Sequence, residues 1–146
     1  MVCVFFGHRD CRDLSEKTLI DAVEALMMQG ADIFYVGHQG GFDSMVRRCL
    51  QLLKTRYPQI SYAVVLSHPS AGGEPIAETE ENTVFPEGLE TVPPRYAVDR
   101  RNKWMLDRAN CCVCYVNHSY GGAYKFASRA KRKGLVTVNL GTAELP

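Results

Sequence analysis

The chain has 146 residues, 46% of them hydrophobic and 23% charged, with a formal net charge of +1. That is enough chain to bury a core as one domain, residues 1–146, without disulfide or metal staples. So small a net charge supplies no bulk field for nucleic acid or an acidic membrane, which leaves only a local groove to attract either, and no apolar run approaches the roughly 20 residues of a membrane span.

The first element is VCVFF (2–6), a continuous apolar run ending at Gly7, which reads as a strand buried on both faces. It lacks a cationic flank and is too short for a signal peptide. Between Asp13 and Gly30, Leu19, Ile20, Val23, Leu26 and Met27 recur at helical spacing. Asp13 with Glu16 three residues on fits a capping box, and Gly30 fits a C-terminal stop. Residues 31–37 are a second apolar strand. The helix after it carries Met45, Val46, Cys49, Leu50 and Leu53 on one face and most of its cations on the other, and Pro58 prevents its continuation. Residues 60–67 are a third strand. From about 68 to 95 no period holds; prolines and the acidic GEPIAETEEN dominate, as in a functional lid or a disordered segment. A helix resumes near Ala97 and runs to about Arg108. Residues 111–116 form a fourth strand, GGAYKFASRAKRKG a short helix ending at Gly134, and LVTVNL (135–140) a fifth strand. This alternation predicts an α/β, Rossmann-like three-layer fold: a five-stranded parallel sheet, order 3-2-1-4-5, with helices on both faces.

Six cysteines in 146 residues suggest a disulfide scaffold until their positions are read. Cys3, Cys49 and the CCVC group fall in apolar runs, as small buried hydrophobes of a reducing compartment do, so the expected location is cytoplasmic. Strand geometry sends neighbours in CCVC to opposite faces, which argues against a zinc cluster. The four histidines each follow a strand, but three inter-strand gaps of about 4.8 Å separate the outermost, too far for one ion. Neither a metal nor a cofactor is expected.

In open parallel sheets ligands bind beyond the carboxyl ends of the strands, where the strand order reverses. The unusual residues of this chain gather there. Gly7, His8 and Arg9 follow the first strand. The turn GHQGGFD brings Gly37, Gly40, Gly41, Phe42 and Asp43 after the second; NHSYGGA brings Asn117, Ser119, Gly121 and Gly122 after the fourth. Each glycine-rich turn leads into a helix N-terminus, where backbone N–H groups and the helix dipole favour an anion. The same glycines also suit tight turns that hold nothing. Arg9 and the run Arg100-Arg101-Asn102 offer charge-assisted contacts to phosphate. Asp43 in a first helical turn is stabilised by the dipole alone, or serves to bind ribose hydroxyls. The cations from Lys125 to Lys133 suit a helix C-terminus.

In the order and placement of FFGHR, GHQGGFD, RRNKWMLDRAN and YGGAYKFA, the chain resembles the SLOG superfamily, the Rossmann-like group joining the SMF/DprA and LOG proteins, and within it the small stand-alone YpsA-like branch. GGFD is similar to the DprA-type turn with a trailing acid, at Gly40, Gly41 and Asp43. RNKWM is similar to the arginine-to-methionine signature of the LOG group, at Arg101 and Met105. YGGA lies where LOG enzymes carry PGGxGT, at Gly121 and Gly122. The resemblance implies binding or sensing of a nucleotide or an NAD- or ADP-ribose-like derivative. Two alternatives stand beside it. One is a LOG-like phosphoribohydrolase that cleaves the N-glycosidic bond of a nucleoside monophosphate. The other is single-stranded nucleic-acid binding as in DprA. LOG enzymes place a catalytic glutamate shortly after PGGxGT; here Tyr124, Lys125, Phe126 and Ala127 follow, and the proline is absent. A hydrolase built on this chain needs Asp43, His8 or a glutamate such as Glu78 instead. Homo-oligomers are frequent among the proteins it resembles, which makes a homodimer an expectation.

Overall fold

The structure is a computed structural model and describes residues 1–68 and 82–146. Most of the acidic stretch, with Glu78, lies outside the described residues. The chain runs β1 (Val2–Gly7), α1 (Glu16–Met28), β2 (Ile33–Val36), α2 (Gly40–Arg56), β3 (Ser61–Val65) and β4 (Thr83–Val84). A 3₁₀ turn (Leu89–Thr91) follows, then α3 (Pro94–Arg108), β5 (Cys111–Tyr115), α4 (Gly122–Arg132) and β6 (Val136–Asn139).

Among the described residues the sheet has six strands, all paired in parallel, in the order β4-β3-β2-β1-β5-β6. The five-stranded expectation is corrected by β4. This two-residue strand lies in the segment read as irregular and adds itself outside β3, where the Leu66 N–H donates to the Val84 carbonyl at 2.8 Å. Two residues carry no alternation to read. The five expected strands keep their relative order inside the larger sheet.

Side chains alternate across the two central strands and divide the core. Cys3, Phe5, Phe34, Val36, Cys111 and Val113 pack with Leu19, Val23, Leu50 and Leu53 of α1 and α2. Val4, Phe6, Cys112 and Cys114 pack with Met105, Phe126, Ala127 and Ala130 of α3 and α4 on the other face. All six cysteines are free and buried, and Cys111 and Cys112 face opposite layers. No helix among the described residues is long and apolar enough to cross a membrane.

Two helix starts differ from the sequence expectation. Ser15, not Asp13, caps α1: its Oγ accepts the Thr18 N–H at 3.1 Å. Glu16, freed from the capping role, pairs with Arg48 of α2 at 3.1 Å. Helix α3 begins at Pro94, ahead of Ala97, because proline at the first helical position gives up an N–H that has no intrahelical partner there.

The tightest packing lies where α2 meets the end of β1. A Cβ on Gly7 would sit 2.2 Å from the ring of Phe42, itself fully buried. Gly7→Ala is therefore expected to lower the unfolding free energy by about 2–3 kcal/mol, as overpacked cores do, read from the urea midpoint. Gly122→Ala, where a Cβ meets nothing within 4 Å, should change stability by less than about 0.5 kcal/mol. Equal effects of the two would show that α2 is not pressed against β1.

Candidate functional site

The chain leaves β1 towards β2 on one side and returns to β1's other side through α3 and β5, so the strand order reverses between β1 and β5. A cleft of about 270 Å³ opens there, at the carboxyl end of β1. Gly7, His8 and Arg9 line it from β1, and Gly37, Gln39 and Asp43 from the start of α2. Arg101 and Asn102 come from α3, and Gly122 and Ala123 from the start of α4.

The two glycine turns serve different ends. In the first, Gly40 and Gly41 face the backbone of the β1–α1 loop, not the cleft. The Gly41 N–H donates to the Arg9 carbonyl at 2.8 Å, and a Cβ on Gly41 would lie 2.4 Å from that oxygen. Gly40 has φ of +85° and would place a Cβ 2.7 Å from Arg9 Cγ. These glycines let two chain segments touch. Phe42 lies beneath them in the core, stacked on Tyr115 with centroids 6.3 Å apart. In the second turn, Gly121 at φ +92° starts α4, and the space around Gly122 is open. The first N–H groups of an α-helix have no intrahelical acceptor, and those of α4 start at the cleft wall.

Gly37 matters for what it lacks. A Cβ there would lie 2.6 Å from both Arg101 Nη1 and Asp43 Oδ2, so its absence admits both groups to the cleft. Arg101 is 3% exposed; its Nε donates to Asn102 Oδ1 at 2.8 Å and its Nη1 to the Val65 carbonyl at 3.0 Å. Among the described residues no carboxylate oxygen comes within ion-pair distance of it. Asp43 is 8% exposed and accepts the Gln39 N–H at 3.0 Å. Burial lifts its pKa from 3.8 to about 6, against the pull of the Gln39 N–H and the Arg101 and Arg47 charges.

The histidines form two separate pairs. His38 Nε2 accepts the Ser67 N–H at 3.1 Å, and the Ser67 hydroxyl lies 2.8 Å from His68 Nδ1. Burial, then Arg101, push His38 down to about 4, so it stays neutral and ties the β2–α2 loop to the end of β3. His8 Nε2 accepts the Asn117 N–H at 2.9 Å, and its ring stacks on His118. Asn117 spends its Oδ1 on Thr142, whose N–H and Oγ1 lie 2.9 and 3.2 Å away. Ser119 and Arg100 are exposed outside the cleft. Among the described residues no group of three or more His, Cys, Asp or Glu side chains is placed to hold a metal ion.

Of the residues expected from sequence, the cleft brings together Gly7, His8, Arg9, Gly37, Asp43, Arg101, Asn102 and Gly122. Gly40, Gly41, Phe42, Asn117, Ser119 and Gly121 support or border it. Phe5, Phe6, Gln39, Val98 and Ala123 also line the cleft and were not expected; Gln39 and Ala123 each abut a glycine already singled out, which was the available signal.

No model of a known protein family matches the chain, and no curated protein matches it either. The arrangement itself is a concave, cationic site: one buried guanidinium, one exposed arginine and two helix N-termini around a single acid that resists ionising. It suits an anion.

Asp43 and His38 act on stability in opposite directions. The raised Asp43 contributes stability that is fully present below 3.8 and lost as pH rises through about 6; the depressed His38 contributes stability present above 6.5 and lost as pH falls through about 4. Between pH 4 and 6.5 the two offset one another. Asp43→Asn keeps an acceptor for Gln39 but removes one arm. At pH 8 it should be more stable than the parent by up to about 3 kcal/mol, and its stability should fall more steeply from pH 6.5 to 4. Urea unfolding across this range reads both; a variant that tracks the parent at every pH refutes the assignment.

Proposed function

We propose that the chain binds a nucleotide, or a nucleotide-derived ligand of the NAD or ADP-ribose kind, in this cleft. The observation that carries the reading is Arg101. A cation 3% exposed with no ion-pair partner among the described residues is expensive for the fold, and apolar side chains of similar volume usually serve stability as well or better. Asp43 offsets only part of the cost: the two groups attract, but no ion pair forms between them and burial opposes the ionised form of each. An incoming phosphate would satisfy the guanidinium and the first N–H groups of α4 together. The resemblance to the SLOG superfamily favours a nucleotide over a bare oxyanion.

One observation favours a second reading. An acid buried in a cleft with a pKa of about 6 is suited to general acid–base work near neutral pH. On that reading Asp43 activates water against the N-glycosidic bond of a nucleoside monophosphate. Release of free base, lost in Asp43→Asn, is its expected signature.

Thermal unfolding in the presence of AMP, NAD and ADP-ribose tests the first reading. A ligand at 100 times its Kd adds about 2.7 kcal/mol, which should raise Tm by about 5–10 °C. Arg101→Met should remain folded, with Tm no lower than the parent's, and lose the ligand-induced rise. The reading fails if none of the three ligands moves Tm, or if Arg101→Met responds as the parent does.

A further inference from the structure

A column of three rings leads out of the cleft. His8, on the cleft wall, stacks on His118 with centroids 3.8 Å apart and planes 18° apart; His118 stacks on Tyr120 at 3.8 Å and 14°. His118 is thus covered on both faces. Tyr120 ends the column and is 70% exposed. The column is pinned at His8, whose Nε2 holds the Asn117 N–H, and at His118, whose Nδ1 lies 3.0 Å from the Tyr120 carbonyl. Gly121 and Gly122 follow directly, so Tyr120 is the residue that leads the chain into the anion-favouring start of α4.

The cleft, at about 270 Å³, falls just short of the roughly 300–1,000 Å³ of ordinary small-molecule sites. A ligand anchored there by its phosphate must extend outside it. A recess of about 600 Å³ adjoins the cleft, shares His8 and Arg9 with it, and is walled further by Tyr115, Asn117 and His118. The recess runs beside the first two rings of the column, His8 and His118, and Tyr120 caps the second of them.

We propose that the exposed face of Tyr120 is a stacking platform for the nucleobase of the ligand, whose phosphate lies against Arg101 and the start of α4. This rests on the nucleotide reading above and goes beyond it by naming the part of the ligand that is selected. Stacking on an aromatic ring rewards any flat base and does not depend on its hydrogen-bonding edge. The site then prefers base-bearing phosphates over sugar phosphates, with little choice among purines.

Calorimetric titration of AMP, GMP and ribose 5-phosphate into the parent, Tyr120→Ala and Tyr120→Phe tests this. Tyr120 is exposed, so both variants are expected to keep the parent's Tm. AMP and GMP should bind the parent roughly ten- to a hundredfold more tightly than ribose 5-phosphate. Tyr120→Ala should lose that advantage while its affinity for ribose 5-phosphate stays within twofold, and Tyr120→Phe should keep it. Equal affinity of the parent for AMP and ribose 5-phosphate overturns the platform and leaves the anion site standing. So does an unchanged AMP affinity in Tyr120→Ala, or a loss in Tyr120→Phe as large as in Tyr120→Ala. Binding of none of the three ligands overturns the nucleotide reading and the platform with it.

Discussion

Everything at the candidate site depends on how closely the N-terminus of α2 approaches the end of β1. Phe42 fills the space a Gly7 side chain would need, and Gly41 hands its N–H to the Arg9 carbonyl across a gap that no Cβ would fit. This contact fixes the first turn of α2 in place. It thereby sets Asp43 and Gln39 on one wall of the cleft, opposite α3 and α4. Cores close-packed to this degree transmit a misplaced atom rather than absorb it. A side chain at position 7 or 41 would move the wall, not merely crowd it.

The cleft is also where the fold departs from its own best stability. Elsewhere among the described residues the ion pairs lie on the surface, such as Lys17 with Asp21 and Lys103 with Asp107. At the cleft a guanidinium and a carboxyl, and in the adjoining β2–α2 loop the His38 imidazole, are drawn into low dielectric, and burial is the largest influence on each. Among the described residues the two buried charged side chains, Asp43 and Arg101, fall together at the cleft, which is the pattern of a site kept for something other than stability.

Much of this fold is legible in the sequence. The runs 2–6 and 111–116 are apolar at every position because β1 and β5 are covered on both faces, and the stripes of α1 and α2 face one layer. Glycines and histidines placed after strands gather at the carboxyl edge of the sheet, where the cleft opens. The features that the sequence does not display depend on partners distant along the chain. Gly40 and Gly41 look like a phosphate cradle until Arg9, some thirty residues earlier, is seen to occupy them. Ser15 and Asp13 are both good caps, and only the backbone path decides between them. The ring column needs the loops after β1 and β5 to converge, and neither loop alone announces it.

The far end of the chain has a bearing on the cleft. Asn139, the last residue of β6, accepts the Val116 N–H and donates to the Val116 and Ala143 carbonyls. Thr142 grips Asn117 one step further on. The loop that carries the rings is therefore lashed to an edge strand, β6, which is less covered than the strands inside the sheet. Loosening of that margin would be felt at the mouth of the cavity. A change at Asn139 or Thr142 is a change to the pocket's door-frame.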